Sequence, residues 1–416
     1  METFYYKKNE LFAESCNLND LAKKYTTPLF VYSKNCILKN YQKFTSAFND
    51  NDKHIVCYAV KANSNLSILN LLAKEGAAFD VVSIGELERV LIAGGNANMC
   101  IFSGVGKTKT EIIKAIELGV FCFNIESEAE LIRINNIAKH KNKIVNIAIR
   151  INPNIDAKTH PYISTGLKEN KFGINYDKVI EVYDKAKDFS HINIKGIATH
   201  IGSQITESKP FLDTLDKLLE LAAILKNKGI NIEHLDLGGG FGIKYDNEQT
   251  INIKNHIKAI AEKNNNKYQI IIEPGRAIVG NCGVLLTKVE YLKNTKEKSF
   301  AIVDAAMNDL IRPALYQSYH KVMPLVKNSK GIYKHWDIVG PICESADFLA
   351  HNRRLSLKQG DYLAIMSAGA YSFVMSSNYN SRTKAAEVLI DNDNHYLIRK
   401  REIIKDLVAN EKEFLK

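Results

Sequence analysis

Eight short apolar runs, at positions 55–60, 78–82, 99–102, 120–125, 144–151, 194–199, 232–237 and 269–272, alternate with stretches whose apolar residues recur at helical spacing. Runs of this length fit buried strands. The segments 86–93, 111–118, 128–138, 179–186 and 212–226 are rich in Leu, Ile, Ala, Glu and Lys, which keep much of their rotamer freedom in a helix. Strand and helix alternating eight times is the pattern of a closed parallel barrel. The predicted fold class is therefore α/β, a (β/α)8 or TIM barrel over about residues 30–278.

Beyond residue 279 the texture changes. Segments 284–291, 299–303, 335–339, 361–365 and 387–390 are short and β-leaning, divided by Gly, Asn and Asp, which predicts an antiparallel β domain. Residues 1–29 fit no barrel unit and are expected to join 279–416 in this second, β-rich domain. A length of 416 residues suits two domains.

Composition narrows the function classes. With 45% apolar and 25% charged residues the chain reads as an ordinary soluble globular protein. Its formal charge of +10 comes from dispersed lysines, without a basic block or an aromatic RNA-binding motif, so a nucleic-acid partner is not expected. The first eight residues lack the apolar core of a signal peptide, and no run approaches the ~18 residues that span a bilayer. The seven cysteines, Cys16, Cys36, Cys57, Cys100, Cys122, Cys282 and Cys343, have neither paired nor metal-like spacing. Reduced thiols, no metal centre and a cytoplasmic setting are expected. Cys57, Cys100 and Cys122 lie in apolar runs and read as core residues, whereas Cys343 lies in a loop.

In a (β/α)8 barrel the functional groups collect where strands end. Here the runs close with Lys61; Asp80 and Ser83; Ser103; Asn124 and Glu126; Arg150 and Asn152; His200, Gly202, Ser203 and Gln204; Asp236 before Gly238-Gly239-Gly240; and Glu273 before Pro274-Gly275-Arg276. Lys61 is an amine fixed where a strand leaves a core, a candidate for a lowered pKa and Schiff-base chemistry. The bland alternative is a lysine that reaches water along its stem. Gly238-Gly239-Gly240-Phe241-Gly242 lets successive backbone N–H groups approach an anion, as in a phosphate nest. A P-loop and a Rossmann fingerprint are both missing, so the phosphate should belong to a small cofactor.

Lysine, nest and carboxylate together suit pyridoxal phosphate: the lysine holds the aldehyde and a carboxylate keeps the pyridine nitrogen protonated. Glu273 fits that second task, although a Glu before Pro-Gly equally orients the turn. His200 is a candidate to stack on the ring, or a satisfied core histidine. Arg276 is a candidate for a phosphate or a substrate carboxylate, or for a surface ion pair.

Tyr58-Ala59-Val60-Lys61-Ala62-Asn63, His200-Ile201-Gly202-Ser203-Gln204, Gly238-Gly239-Gly240-Phe241-Gly242 and Glu273-Pro274-Gly275-Arg276 resemble the motifs of the fold type III pyridoxal phosphate decarboxylases, in the same order and spacing. The resemblance runs from about residue 28 to 389. It implies that Lys61 carries the cofactor and His200 stacks on it, that Ser203, Gly238, Gly239, Gly240, Arg276 and Tyr371 surround the phosphate, that Glu273 meets the pyridine nitrogen, and that Asp80 and Gly275 belong to the cofactor site. It also implies a homodimer with shared sites, each completed by Cys343 and Glu344 of the second subunit. The stretch Cys343-Glu344-Ser345-Ala346-Asp347 matches that pattern, with Cys343 as proton donor; a thiol of near-neutral pKa can protonate a carbanion equivalent.

Members of the family take ornithine, arginine, carboxynorspermidine or diaminopimelate. Diaminopimelate carries a second amino-acid head, so its site needs a cation for the distal carboxylate and an anion for the distal ammonium. Arg312-Pro313-Ala314-Leu315-Tyr316, with Arg276, Glu344 and Tyr371, resembles that recognition set, and a buried charge left unpaired would reject ornithine. A structural salt bridge is the alternative for Arg312. The implied reaction is decarboxylation of meso-2,6-diaminopimelate to L-lysine, the last step of lysine biosynthesis. The rivals are decarboxylation of carboxynorspermidine and a non-catalytic pyridoxal phosphate carrier. Residues 163–172, with Thr165-Gly166 as hinge, are the expected closing loop.

Overall fold

The structure is a computed structural model that describes residues 3–48, 54–155, 171–328 and 330–411. It contains two compact units, Asn40–Ile243 with Gln249–Ala277, and Met1–Lys39 with Lys244–Glu248 and Ile278–Lys416.

The first of these is the barrel. Its strands are β1 (Ile55–Ala59), β2 (Ala78–Val81), β3 (Cys100–Phe102), β4 (Cys122–Ile125), β5 (Val145–Asn152), β6 (Ile192–Thr199), β7 (His234–Asp236) and β8 (Gln269–Ile272). Each is parallel to the next, and β8 pairs with β1 to close the ring, with Ile271 opposite Ile55 and Ile272 opposite Val56. All eight apolar runs thus became barrel strands, with ends shifted by up to two residues; most are shorter than the run, whereas Val145–Asn152 and Ile192–Thr199 extend beyond it. Trimming matters most at β1. Val60 has left the ladder for a one-turn 3-10 helix, Val60–Ala62, and Lys61 stands on that turn. Short polar residues fix the starts of the helices that follow: Ser83 accepts from Glu86 N, Thr108 forms a reciprocal cap with Glu111, and Ser127 accepts from Glu130 N. Strand ends held by capped helices keep their side chains in fixed positions.

The second unit is built on a sheet ordered Phe348–Leu355, Lys334–Val339, Ser299–Val303, Gly283–Asn294, Leu29–Ser33, Ala386–Asp391 and Asn394–Arg399. Most pairings are antiparallel, as the sequence suggests. Two are parallel: Ser299–Val303 with Lys334–Val339, and Ala386–Asp391 with Leu29–Ser33. The amino-terminal hairpin and the helix Leu18–Tyr25 bury Leu11, Leu18 and Leu21 against Leu29, Val31, Val284, Leu286 and Val388. Cys57, Cys100 and Cys122 are fully buried, Cys343 is exposed, and all seven thiols are free. Among the described residues no helix is long and apolar enough to cross a membrane.

Candidate active site

Where the barrel strands end, Lys61, His200 and Glu273 line one cavity of about 470 Å³, with Asn124, Arg150 and Phe172 on its wall. Lys61 Nζ lies 2.8 Å from Oδ2 of Asp80, whose side chain is wholly buried. Asp80 Oδ1 accepts no hydrogen bond, and neither does Glu273 Oε1. Leaving such atoms dry costs free energy, so the unfilled acceptor of Glu273, which lines the cavity, points to a donor that comes from outside the protein.

Electrostatics agree with that reading. Burial pushes Glu273 well above the ordinary glutamate range, the neighbouring Asp236 and Asp80 push it further, and Lys61 pulls the other way. Asp236 is also pushed up, first by burial, although it accepts from Gly238 N at 2.9 Å and from Asn124 Nδ2 at 3.0 Å. Both buried carboxyls, Glu273 and Asp236, are thus disfavoured as anions unless a cation comes beside them. A protonated ring nitrogen against Glu273 would be such a cation, and it would also fill the vacant acceptor.

His200 is held well below the usual histidine value by desolvation and by the charges of Arg150 and Lys61. Gly239 N donates to its Nδ1 at 3.2 Å, which places the proton of the neutral ring on Nε2. That bond also revises the phosphate nest. The N–H groups of Gly238 and Gly239 are already given to Asp236 and His200. Gly240 N–H, which has no acceptor among the described residues, remains for an anion. The three glycines are nonetheless required sterically: added Cβ atoms at Gly238, Gly239 and Gly240 would sit 2.4, 2.2 and 2.2 Å from the carbonyl oxygens of Thr199, Glu273 and Gly202. Close by in the chain, Arg276 Nη2 donates to Ser203 Oγ at 2.9 Å. Gly275 packs onto the Lys61 turn, where an added Cβ would meet those of Ala59 and Ala62 at 3.0 Å.

These residues fit pyridoxal phosphate: an amine, an acceptor for a ring N–H, a neutral imidazole and an arginine are gathered by one barrel. A family profile described as "Pyridoxal-dependent decarboxylase, pyridoxal binding domain" matches residues 34–280. The chain belongs to this family of pyridoxal-dependent decarboxylases. It is 52% identical over 412 residues to diaminopimelate decarboxylase of Pseudomonas aeruginosa, covering 99% of each chain. Diaminopimelate decarboxylase from Helicobacter pylori, solved as a complex with L-lysine, is similar at a TM-score of 0.92 and 42% identity, covering 96% of this chain and 100% of that one. The M. jannaschii enzyme in co-complex with L-lysine superposes at 0.94 and 38% identity, over 100% and 98% of the two chains.

The remaining residues implied by the family motifs lie in the second unit. Arg312 is buried at the start of the helix Arg312–Tyr316, and its guanidinium lies 5.4 Å from the centre of the Tyr316 ring. Cys343 and Glu344 are exposed on a turn tied down by Asp347, whose carboxylate accepts from Met307 N at 2.7 Å and Ile342 N at 2.8 Å. Asn380 Oδ1 accepts from Cys343 N at 3.0 Å. Tyr371 has a left-handed backbone, φ 55°. Of the expected closing loop, positions 163–170 with Thr165 and Gly166 lie outside the described residues.

Sequence reasoning assigned no role to several residues of the barrel mouth. Glu126 accepts from Arg150 at 2.7 Å and from Gly173 N at 2.8 Å, while Arg150 lies over the Phe172 ring at 4.8 Å. Behind them, Lys107 is buried and donates to the carbonyls of Gly104 and Asn124 and to Glu130. Their strand-end positions were the available signal for Glu126 and Arg150; nothing in the local pattern marks Lys107.

Proposed function

We propose that the chain decarboxylates meso-2,6-diaminopimelate to L-lysine and carbon dioxide with pyridoxal 5'-phosphate, the last step of lysine biosynthesis. The observation that carries the reading is the unfilled acceptor of Glu273 across the cavity from Lys61, in a chain about half identical over its full length to diaminopimelate decarboxylases. When bound, pyridoxal phosphate supplies an aldehyde and an electron-poor ring that takes up the electron pair left by departing carbon dioxide.

Each side chain then has a task. Lys61 would hold the aldehyde, and Asp80, 2.8 Å away, orients the free Lys61 amine before the cofactor is bound. Glu273 would keep a ring nitrogen protonated, and its own raised affinity for protons would fall with that cation beside it. His200, kept neutral, covers the ring face without adding a positive charge that would compete with the ring nitrogen. Ser203, Gly240 and Arg276 would hold the phosphate, Gly240 through its backbone N–H and Arg276 from beside Ser203, to which it donates. Cys343 delivers the proton to the α-carbon, and Arg312, Tyr316, Glu344 and Tyr371 with Arg276 take the distal amino-acid head; these roles rest on the matching motifs. The same motifs support a homodimer in which Cys343 and Glu344 serve the second subunit's site, and the dispersed free thiols support a cytoplasmic setting.

Assaying carbon dioxide release from meso-diaminopimelate and from carboxynorspermidine tests the substrate. The first should be strongly preferred, since a site reading both ends of its substrate rejects a mismatched one by several orders of magnitude. Preference for carboxynorspermidine would overturn the substrate, and absence of release from both would favour a pyridoxal phosphate carrier.

A further inference from the structure

For Arg312 to receive the distal carboxylate on two nitrogens at once, its guanidinium has to be held in one plane. Arginine has much rotamer freedom to lose, so its orientation has to come from neighbours. Tyr316, one turn along the same short helix, supplies one ring. The other comes from a distant part of the sequence. The Tyr245 ring centre lies 5.6 Å from the Arg312 guanidinium carbon, close to the 5.4 Å of Tyr316. Arg312 Nη2 also donates to Ser318 Oγ at 3.1 Å.

Tyr245 is itself immobilised. It is buried, and its ring meets that of His320 edge to face, 5.3 Å between centres at 76°. His320 is fully buried and its Nδ1 lies 2.8 Å from Met366 O. The Tyr245 backbone is fixed as well: Glu248 Oε2 accepts from Tyr245 N at 2.9 Å and from Asp246 N at 2.7 Å, and Lys244 O accepts from Asn281 at 3.0 Å. A rigid aromatic face attracts a guanidinium through its quadrupole and fixes it without supplying a counter-charge. An Asp or Glu in the same place would pair with Arg312 and compete with an incoming carboxylate.

We infer that Tyr245 is a positioning residue for substrate choice, holding the Arg312 guanidinium in the orientation that receives the carboxylate remote from the reacting carbon. This inference rests on the role given to Arg312, and the test separates the two. L-Lysine retains the distal amino-acid head of the substrate, whereas 1,5-diaminopentane has the same spacing of amines and no carboxylate. Inhibition of the holoenzyme by each compound is measured for the parent and for Tyr245→Phe, Tyr245→Leu and Arg312→Leu.

Tyr245→Leu should raise the KM for diaminopimelate and the inhibition constant of L-lysine by roughly 5- to 30-fold, the range of a desolvated cation–π contact, with kcat little changed. Inhibition by diaminopentane should not move, and Tyr245→Phe should behave as the parent. Tyr245→Met, whose longer unbranched chain adapts to the space of the ring, gives the same comparison if the leucine variant does not fold. Unchanged L-lysine inhibition, or equal weakening of both inhibitors, overturns the positioning role. When Arg312→Leu selectively weakens L-lysine but Tyr245→Leu does not, only the Tyr245 inference fails; if Arg312→Leu has no selective effect, the role of Arg312 fails and Tyr245 with it.

Discussion

Two lysine–carboxylate pairs belong to the same barrel and differ in burial and in how fully their hydrogen bonds are met. Lys107 and Glu130 are 2.6 Å apart with side chains 1% and 8% exposed. Lys107 spends its donors on Glu130 and on two carbonyls at 2.8 Å, and Glu130 Oε2 accepts from Glu126 N at 2.8 Å. Lys61 and Asp80 are 2.8 Å apart, but the Lys61 side chain is 36% exposed and opens on the cavity. Among the described residues, Asp80 Oδ1 and the cavity-lining Glu273 Oε1 have no hydrogen bond. A pair that closes its own hydrogen bonds is structural; one surrounded by unmet acceptors waits for a ligand.

Replacing either lysine breaks the comparison open in a different observable. Lys61→Ala should lower turnover by roughly four orders of magnitude or more, because the covalent hold on the cofactor is lost, and visible absorbance of lysine-bound cofactor should not survive dialysis. Near-parental turnover would make Lys61 another structural lysine. Lys107→Met should instead destabilise the protein by about 3–5 kcal/mol, the usual cost of leaving one partner of a buried pair alone, read from urea unfolding of the apo-protein. Retained stability would show that water reaches Glu130.

Glu273→Gln should retain the cofactor on Lys61 and lose about 10²–10³-fold in kcat, as when one preorganised electrostatic contact to developing charge is removed. The smallest effect is on the pH dependence of apo-protein stability. Glu273 binds its proton more tightly folded than unfolded, so the parent is penalised progressively as pH rises above the ordinary 4.5. Urea unfolding at several pH values should therefore show Glu273→Gln gaining on the parent from pH 4.5 upward, with the gap closing when pyridoxal phosphate is added. A pH-independent gap would mean that Glu273 is not proton-loaded in the empty barrel.

Much of this was legible in the chain because barrel strands are local, continuous apolar runs and the site residues sit at their ends. Lys61, Asp80, His200, Ser203, Glu273 and Arg276 could be collected that way before any coordinate was known. What escaped depended on contacts distant in sequence. Leu29–Ser33 joins the second unit's sheet through strands that lie more than 250 residues further on in the chain. The strand Phe348–Leu355 carries His351, Arg353 and Arg354, and a run this polar has no apolar alternation to announce it. Lys107 looks like any surface lysine until Glu130 folds over it. The glycine run misled in detail: its three residues are demanded by close backbone approach, and two of their N–H groups have protein partners.

The central claim is that Lys61, and no other amine, carries the cofactor. Reconstituting the protein with pyridoxal phosphate, reducing it with borohydride and locating the fixed mass by peptide mass spectrometry tests this directly. The label should be found on the peptide containing Lys61, and adding diaminopimelate before reduction should diminish it. A label on Lys107 or on another lysine, or none at all, would contradict the account.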